Sequence, residues 1–297
     1  MRPLDADIAV SYPPPQGRFG DQLSYYLHAK WVSYRDGIPF LFKPFLFSDA
    51  FALHDAEIPW TQEKEESFDQ VIRYDGIGEL CQDSTLYIIP YFSECEEDRH
   101  FNPSWINIPV DWKDEGFKAF LKELFAPRDQ YASFIPEGFE GITTALHVRR
   151  GGGYDTVVAY QLWPLRFPPD SYYIESLQKL CDLFPGTPIY AHVFTDDPDP
   201  SSLIRLYAEH LSGYPITFGC REEGNRHDAH QMDDFFGMME FDCLIRSVSN
   251  FTLLHSVIGD YLVVITPKHC LWRRHTQPCN GLVLENYMDV VEVKLAD

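Results

Sequence analysis

The run His147-Val148-Arg149-Arg150-Gly151-Gly152-Gly153 is the sharpest chemical feature of this 297-residue chain. A guanidinium is a planar fork that holds phosphate or carboxylate through paired hydrogen bonds. Glycines let backbone approach a ligand closely. The run closes a strand-like stretch, ITTALHV at 142–148. If the backbone stays extended, Arg149 and Arg150 point to opposite faces, so one binds while the other braces. His147 shares a face with Arg149, and its ordinary reading is a hydrogen-bonded core histidine.

Three further loops carry chemistry-bearing residues. Gly17-Arg18-Phe19-Gly20-Asp21-Gln22 joins a strand to a helix. Two glycines and the free N–H groups of a helix start suit an anionic or hydroxyl ligand, although a tight turn also fits. Thr195-Asp196-Asp197-Pro198-Asp199 ends a second strand. Its carboxylates suit ribose hydroxyls, an arginine partner or a divalent metal. Asp199, followed by Pro200, reads as a helix cap. Ser247-Val248-Ser249-Asn250-Phe251-Thr252 opens another helix, where hydroxyls and N–H groups fit a phosphate or plain capping. The dinucleotide fingerprint and the P-loop lysine are absent.

The elements that must position these loops alternate between apolar strands and amphipathic helices. Strands are predicted at 7–11, 85–91, 142–148, 189–195, 216–218 and 261–265. Helices are predicted at 22–35, 114–125, 171–184, 201–211, 233–246 and 251–258, with a short extended piece at 248–249. Residues 50–84 and 92–112 are acidic and aromatic without a clear period. Repeated strand–helix units imply parallel sheets covered on both faces. The Pro/Gly-rich stretch 126–141 sets the expected boundary between domains 1–140 and 141–297.

Net charge is −21, which disfavours nucleic acid and anionic lipid as partners. Residues 141–297 hold nine arginines against three lysines, so the second half is better equipped for an anionic small molecule. No apolar run approaches the ~20 residues of a transmembrane helix, and the first residues lack a signal-peptide core. Seven cysteines in irregular spacing, without a C-x-x-C pair, argue against a disulfide framework or structural zinc. A cytoplasmic location is expected.

Taken in order, the four loops resemble motifs of the fucosyltransferase superfamily. His147-Val148-Arg149-Arg150-Gly151 is similar to the start of the H-x-R-R-G-D-Y motif of bacterial α-1,2-fucosyltransferases. Gly17 to Gln22 resembles the G-x-x-G-N-Q loop of those enzymes and of protein O-fucosyltransferases. Phe194-Thr195-Asp196-Asp197-Pro198 resembles F-S-D-D or T-D-D-P. Asp234…Met238…Asp242…Ile245…Ser249-Asn250-Phe251-Thr252 is similar to the D-x-x-x-M…S-S-F-S block. There are departures: Gly152 stands where the family has an acid, with Asp155 three residues on, and Asp21 replaces the family Asn.

The resemblance implies an α/β fold of GT-B type, with two Rossmann-like domains facing across a cleft. It implies metal-independent transfer of a sugar, L-fucose first among candidates, from a GDP-sugar to a hydroxyl acceptor on a glycan or protein, with no cofactor. Arg149 then binds the β-phosphate and Arg150 assists or braces. Ser249, Asn250 and Thr252 donate to phosphate or nucleoside, and Asp234 reaches the guanine edge. Gly17, Arg18, Gly20, Gln22, His147, Asp196 and Asp197 complete the expected donor site. Asp21 is placed to accept the acceptor's proton. Two alternatives stand beside this: a metal-dependent sugar-phosphate enzyme built on Asp196, Asp197 and Asp199, and a degenerate member that binds nucleotide or glycan without turnover.

Overall fold

Apolar runs separated by polar turns fold into a mixed α/β chain with parallel sheets. The computed structural model describes residues 7–74, 76, 79–80, 83–90, 108, 110–151, 165–226 and 229–267, and the backbone of 270–274, 282–287 and 290–291. Gly152, Gly153 and Asp155 lie outside the described residues, as do Cys81, Cys95 and Cys279. The chain divides into two units, Met1–Gln130 and Tyr131–Asp297, within the 126–141 stretch.

In the first unit, β1 (Ile8–Ser11) leads into α1 (Phe19–Asp36) and β2 (Leu41–Phe42). Then come α2 (Leu53–Ala56), β3 (Ile58–Pro59), α3 (Gln62–Glu66), β4 (Gln70–Arg73), β5 (Thr85–Ile88) and α4 (Glu115–Leu124). β1 and β4 flank β5 in parallel, β2 pairs in parallel with β3, and a bridge from Val10 to Phe40 links the two sets. Helix α1 forms because Leu23, Tyr26, Leu27 and Trp31 fall on one buried stripe, and Gly37 at φ 65° ends it in the left-handed conformation that glycine tolerates. The span without readable period contains α2, β3, α3 and β4, elements of two to five residues that are too short to show one.

The second unit runs β6 (Ile142–Val148), α5 (Asp170–Leu183), β7 (Ile189–Thr195), α6 (Pro200–His210), β8 (Ile216–Cys220), α7 (Gln231–Met238), β9 (Cys243–Arg246), α8 (Asn250–Ile258) and β10 (Val263–Pro267). β11 (Cys270–Arg274), β12 (Leu282–Tyr287) and β13 (Val290–Val291) follow. The sheet order is β8-β7-β6-β9-β10-β13, parallel except for β13. One face of β6 and β7 (Leu146, Val148, Ala191, Val193) packs on Tyr172, Tyr173 and Leu177 of α5 and on Leu203 and Tyr207 of α6. Ala145, Phe194 and Leu244 turn to the other face and meet Met238, Phe241 and Tyr261. Both faces are covered, as a parallel sheet requires.

Three expectations need correction. The helix predicted over 233–246 is two elements: α7 ends at Met238, and Cys243–Arg246 is β9. β9 lies between β6 and β10 and is buried along its whole length, so its apolar residues face both ways and mimic a helical period. The predicted strand 85–91 stops at Ile88, just before Pro90, whose missing N–H cannot extend a ladder. The last predicted strand lies two residues later, at Val263–Pro267.

Candidate functional site

The strand order of the second unit, counted along the chain, is third, second, first, fourth, fifth. Connections leave β6 and β9 in opposite directions, so the crevice beyond their carboxyl ends is the topological switch point where such sheets bind ligands. The two segments at that point are His147–Gly151 and Arg246–Asn250, which are the arginine loop and the hydroxyl-rich helix start.

Each arginine has a distinct setting. The Arg149 guanidinium lies 4.9 Å from the centroid of the buried Phe167 ring, a cation–π contact. Arg150 turns instead to Asp170 and Tyr207, with Asp197 Oδ2 3.8 Å from its Nε. Tyr207 Oη also donates to Asp170 Oδ1 at 2.7 Å, which locks the carboxylate. Through these contacts Arg150 ties the loop to α5 and α6. Asp170, the first residue of α5, was not singled out in the sequence; an acidic residue in a first helical turn is usually read as a dipole partner.

The carboxylates after β7 are committed to structure. Asp196 accepts the backbone N–H groups of Arg150 (2.6 Å) and Gly151 (3.2 Å). Those N–H groups therefore serve the turn and do not form an anion seat. Asp197 accepts from the Asp199 N–H at 2.8 Å, and Asp199 caps α6 by accepting from the Ser202 N–H at 3.1 Å.

Around β9, Arg246 is 6% exposed, and its place in an apolar run gives no local sign of a role. Its guanidinium donates to the carbonyls of Ser247 and Ser249, both at 3.2 Å, and to Ser256 Oγ at 2.7 Å. It clamps the turn into α8 from below. Ser249 is the α8 N-cap and accepts from the Phe251 N–H. Asn250 is the first helical residue and is half-buried. Thr252 is fully buried, and its hydroxyl points to the Ser247 and Ser249 carbonyls.

His147 bridges the two loops. Its Nδ1 lies 3.1 Å from Ser247 Oγ, its ring stacks on Phe251, and its carbonyl accepts from Tyr173 Oη. Burial, reinforced by Arg149, His255 and Arg246, holds its pKa well below the usual imidazole value, so it is neutral. Tyr172 Oη donates to the carbonyls of Arg246 and Ile265, and this ties β9 to β10 beneath the site. Asp234 pairs with Arg221, with 2.7 Å between Nη1 and Oδ1. Burial pushes its pKa up to about 6 despite that arginine. Phe235, its neighbour on α7, contacts Phe251 at the start of α8, so Asp234 lies one residue from the aromatic wall of the site. Asp242, in contrast, accepts from the N–H and hydroxyl of Thr143 at the amino end of the sheet, away from this crevice.

The first unit presents its own loop. Gly17 sits at φ 83°, and a Cβ there would lie 2.8 Å from Asp21 Oδ2, so both backbone and space require glycine. Asp21 Oδ2 accepts from the Arg18 N–H at 3.3 Å and caps α1. Gly20 lends its carbonyl to Ser24 Oγ. Gln22 is a staple: its Nε2 donates to the Gly17 carbonyl (2.9 Å) and its Oε1 accepts from the Leu46 N–H (2.8 Å).

No known protein family and no curated protein sequence matches the chain. Solved structures do. Apo POFUT1, a protein O-fucosyltransferase, is similar over 88% of this chain and 97% of its own, at 12% identity and a TM-score of 0.50. POFUT1 in complex with GDP is similar over 86% and 96%, at 13% identity and a TM-score of 0.50. The chain has a fucosyltransferase-like fold. A NodZ α-1,6-fucosyltransferase soaked with GDP-fucose aligns over 96% of this chain at 14% identity and a TM-score of 0.43. No helix among the described residues is long and apolar enough to cross a membrane.

Proposed function

We propose that this chain is a glycosyltransferase of GT-B type that moves a sugar, L-fucose, from GDP to a hydroxyl acceptor, without a metal. The observation that carries the reading is the position of Arg149. It stands at the carboxyl end of β6, at the switch point of a Rossmann-order sheet, held against Phe167. The fold shared with POFUT1, a protein crystallised with GDP, supports the same donor.

In the reaction, the bond between the sugar's anomeric carbon and the β-phosphate oxygen breaks, and its electron pair leaves with GDP. Charge builds on that oxygen, where a preorganised guanidinium stabilises the transition state more than the ground state. Arg149 takes that role, and the α8 start with Ser249 and Asn250 adds helix-terminal N–H groups. Asp234 receives the N–H edge of guanine. The acceptor oxygen bonds to the anomeric carbon, and its proton passes to Asp21 as general base. The metal-dependent alternative needs Asp196, Asp197 and Asp199 together. In this structure each serves a backbone N–H or Arg150, which favours the metal-free reading.

A calorimetric panel of nucleotides tests the donor. GDP is expected to bind at least tenfold, about 1.4 kcal/mol, more tightly than UDP or CMP. Binding and transfer from GDP-fucose are expected to persist in EDTA. A preference for UDP, or activity restored only by Mn²⁺, overturns the assignment. GDP binding without any turnover points to the non-catalytic alternative.

A further inference from the structure

Arg246 is the last residue of β9, and the strand register sets it beside the arginine loop. β6 and β9 pair in parallel, with His147 opposite Arg246. Paired residues of neighbouring strands raise their side chains on the same face, here the face that also carries Ala145 and Leu244. Arg149 lies two residues beyond His147, and Ser249, the α8 cap, lies three beyond Arg246. The two segments of the proposed donor site therefore leave the sheet from one pair of opposed residues.

The guanidinium uses all three of its nitrogens on one of those segments. Nε donates to the Ser247 carbonyl and Nη2 to the Ser249 carbonyl, both at 3.2 Å, and Nη1 donates to Ser256 Oγ at 2.7 Å. Ser247 and Ser249 precede α8, and Ser256 lies about two turns further on. One rigid plane thus fixes both the entry and the body of the helix. Ser247 is shared with the other segment: its Oγ lies 3.1 Å from His147 Nδ1 while its carbonyl takes the Arg246 Nε–H. The His147 ring in turn stacks on Phe251 of α8, with centroids 5.8 Å apart. Beneath them, Tyr172 Oη of α5 donates to the Arg246 carbonyl at 2.9 Å. The series Tyr172, Arg246, Ser247, His147 runs under the crevice and ends two residues from Arg149.

We propose that Arg246 is a positioning residue for the diphosphate: buried and acting through Ser247, Ser249 and His147, it sets the spacing between the Arg149 loop and the α8 start. Displacing a binding group by about 1 Å can cost on the order of 10² in rate, so that spacing matters. The proposed diphosphate contacts come from both segments at once, whereas Asp234, proposed for the base, stands on α7. Loss of Arg246 therefore falls on the phosphate part of the ligand. Lysine is a poor substitute, because one ammonium cannot reach acceptors in the three directions that the fork reaches. The identity of the ligand as GDP rests on the proposed transferase reading; the role of Arg246 needs only a diphosphate.

Calorimetric titration of the whole chain with GDP, guanosine and sodium pyrophosphate at constant ionic strength tests this. Arg246→Lys is expected to weaken GDP and pyrophosphate by about tenfold or more, while guanosine stays within about twofold. Arg246→Met, which also removes the charge, should weaken the two phosphates at least as much. Ser256→Ala removes one acceptor of the fork; it should weaken GDP about threefold and decides the matter if neither Arg246 variant folds. Unchanged GDP and pyrophosphate affinity in folded Arg246→Lys overturns the proposal, and so does a parallel fall in guanosine affinity, which would mean general loosening. If the parent binds pyrophosphate but prefers UDP to GDP, the donor reading falls and the pyrophosphate titrations still decide Arg246. A parent that binds neither GDP nor pyrophosphate overturns both.

Discussion

One carboxylate, that of Asp196, closes the turn that carries Arg149: its Oδ1 lies 2.6 Å from the Arg150 nitrogen and its Oδ2 lies 3.2 Å from that of Gly151. An acid next to the proposed phosphate site looks misplaced, since it repels phosphate. Here it works as an acceptor for two adjacent N–H groups, and those bonds hold its charge in place. Asp196→Ala should therefore loosen the turn. Hydrogen bonds to a charged acceptor are worth about 1.5–3 kcal/mol, so GDP affinity is expected to fall roughly tenfold or more. Calorimetry on folded protein checks this; unchanged affinity would show that the turn holds without the carboxylate.

Arg149→Ala should lower the transfer rate by about 10²–10³, the usual loss when a donor to developing charge is removed. Arg149→Lys should rescue only part, because an ammonium cannot reproduce the guanidinium fork or its stacking on Phe167. Rate and GDP affinity are measured on protein whose circular dichroism matches the parent. If both are unchanged in Arg149→Ala, the residue leaves the site.

Arg150→Ala should act mainly on stability. The guanidinium side chain is 14% exposed, and its removal leaves Asp170, which is 35% exposed, with the Tyr207 hydroxyl but without its counter-charge. The expected loss is about 1–3 kcal/mol, below the ~3–5 kcal/mol of a fully buried pair. Urea unfolding measures it. A larger fall in turnover than in stability would return Arg150 to direct phosphate binding.

Asp21→Asn separates capping from catalysis. Asparagine keeps an oxygen for the Arg18 N–H, so helix α1 and overall stability should hold. It cannot take a proton, so transfer should slow by about 10²–10⁴ if Asp21 is the base. A normal rate in a stable variant makes Asp21 a cap only.

The pH dependence follows from buried titratable groups of opposite sign. Burial lowers His192 and His255 to about 4, so between about 6.5 and 4 the unfolded chain binds protons that the native chain refuses. Stability is then lost as pH falls through that window. Asp234, raised to about 6, does the reverse: its native state binds the extra proton between about 4 and 6, so its contribution falls as pH rises. The histidines outnumber it, and the native chain should weaken on acidification. In denaturant titrations from pH 7 to 4, Asp234→Asn should lose stability more steeply than the parent. A shallower loss would refute the raised Asp234 pKa.

Much of this was legible in the residues. The 142–148 and 189–195 strands carry long apolar runs whose ends are marked by Arg-Arg-Gly and Asp-Asp-Pro, and both run over those residues in the structure. Asp199 and Ser249 were readable as caps because capping is local chemistry within three residues. What local pattern could not supply was partnership across the chain. β9 looked helical because a strand buried on both faces has no alternation to read. Asp170, twenty residues from Arg150, and Asp196, forty-six residues from it, become its partners only when β6, β7 and α5 come together. Arg246 stood at the end of an apparent helix, and folding made it the clamp under the α8 turn. Sequence determines which groups are available and how their nearest neighbours orient them. The sheet order decides which of them meet, because it sets the distances over which charge and hydrogen bonding act.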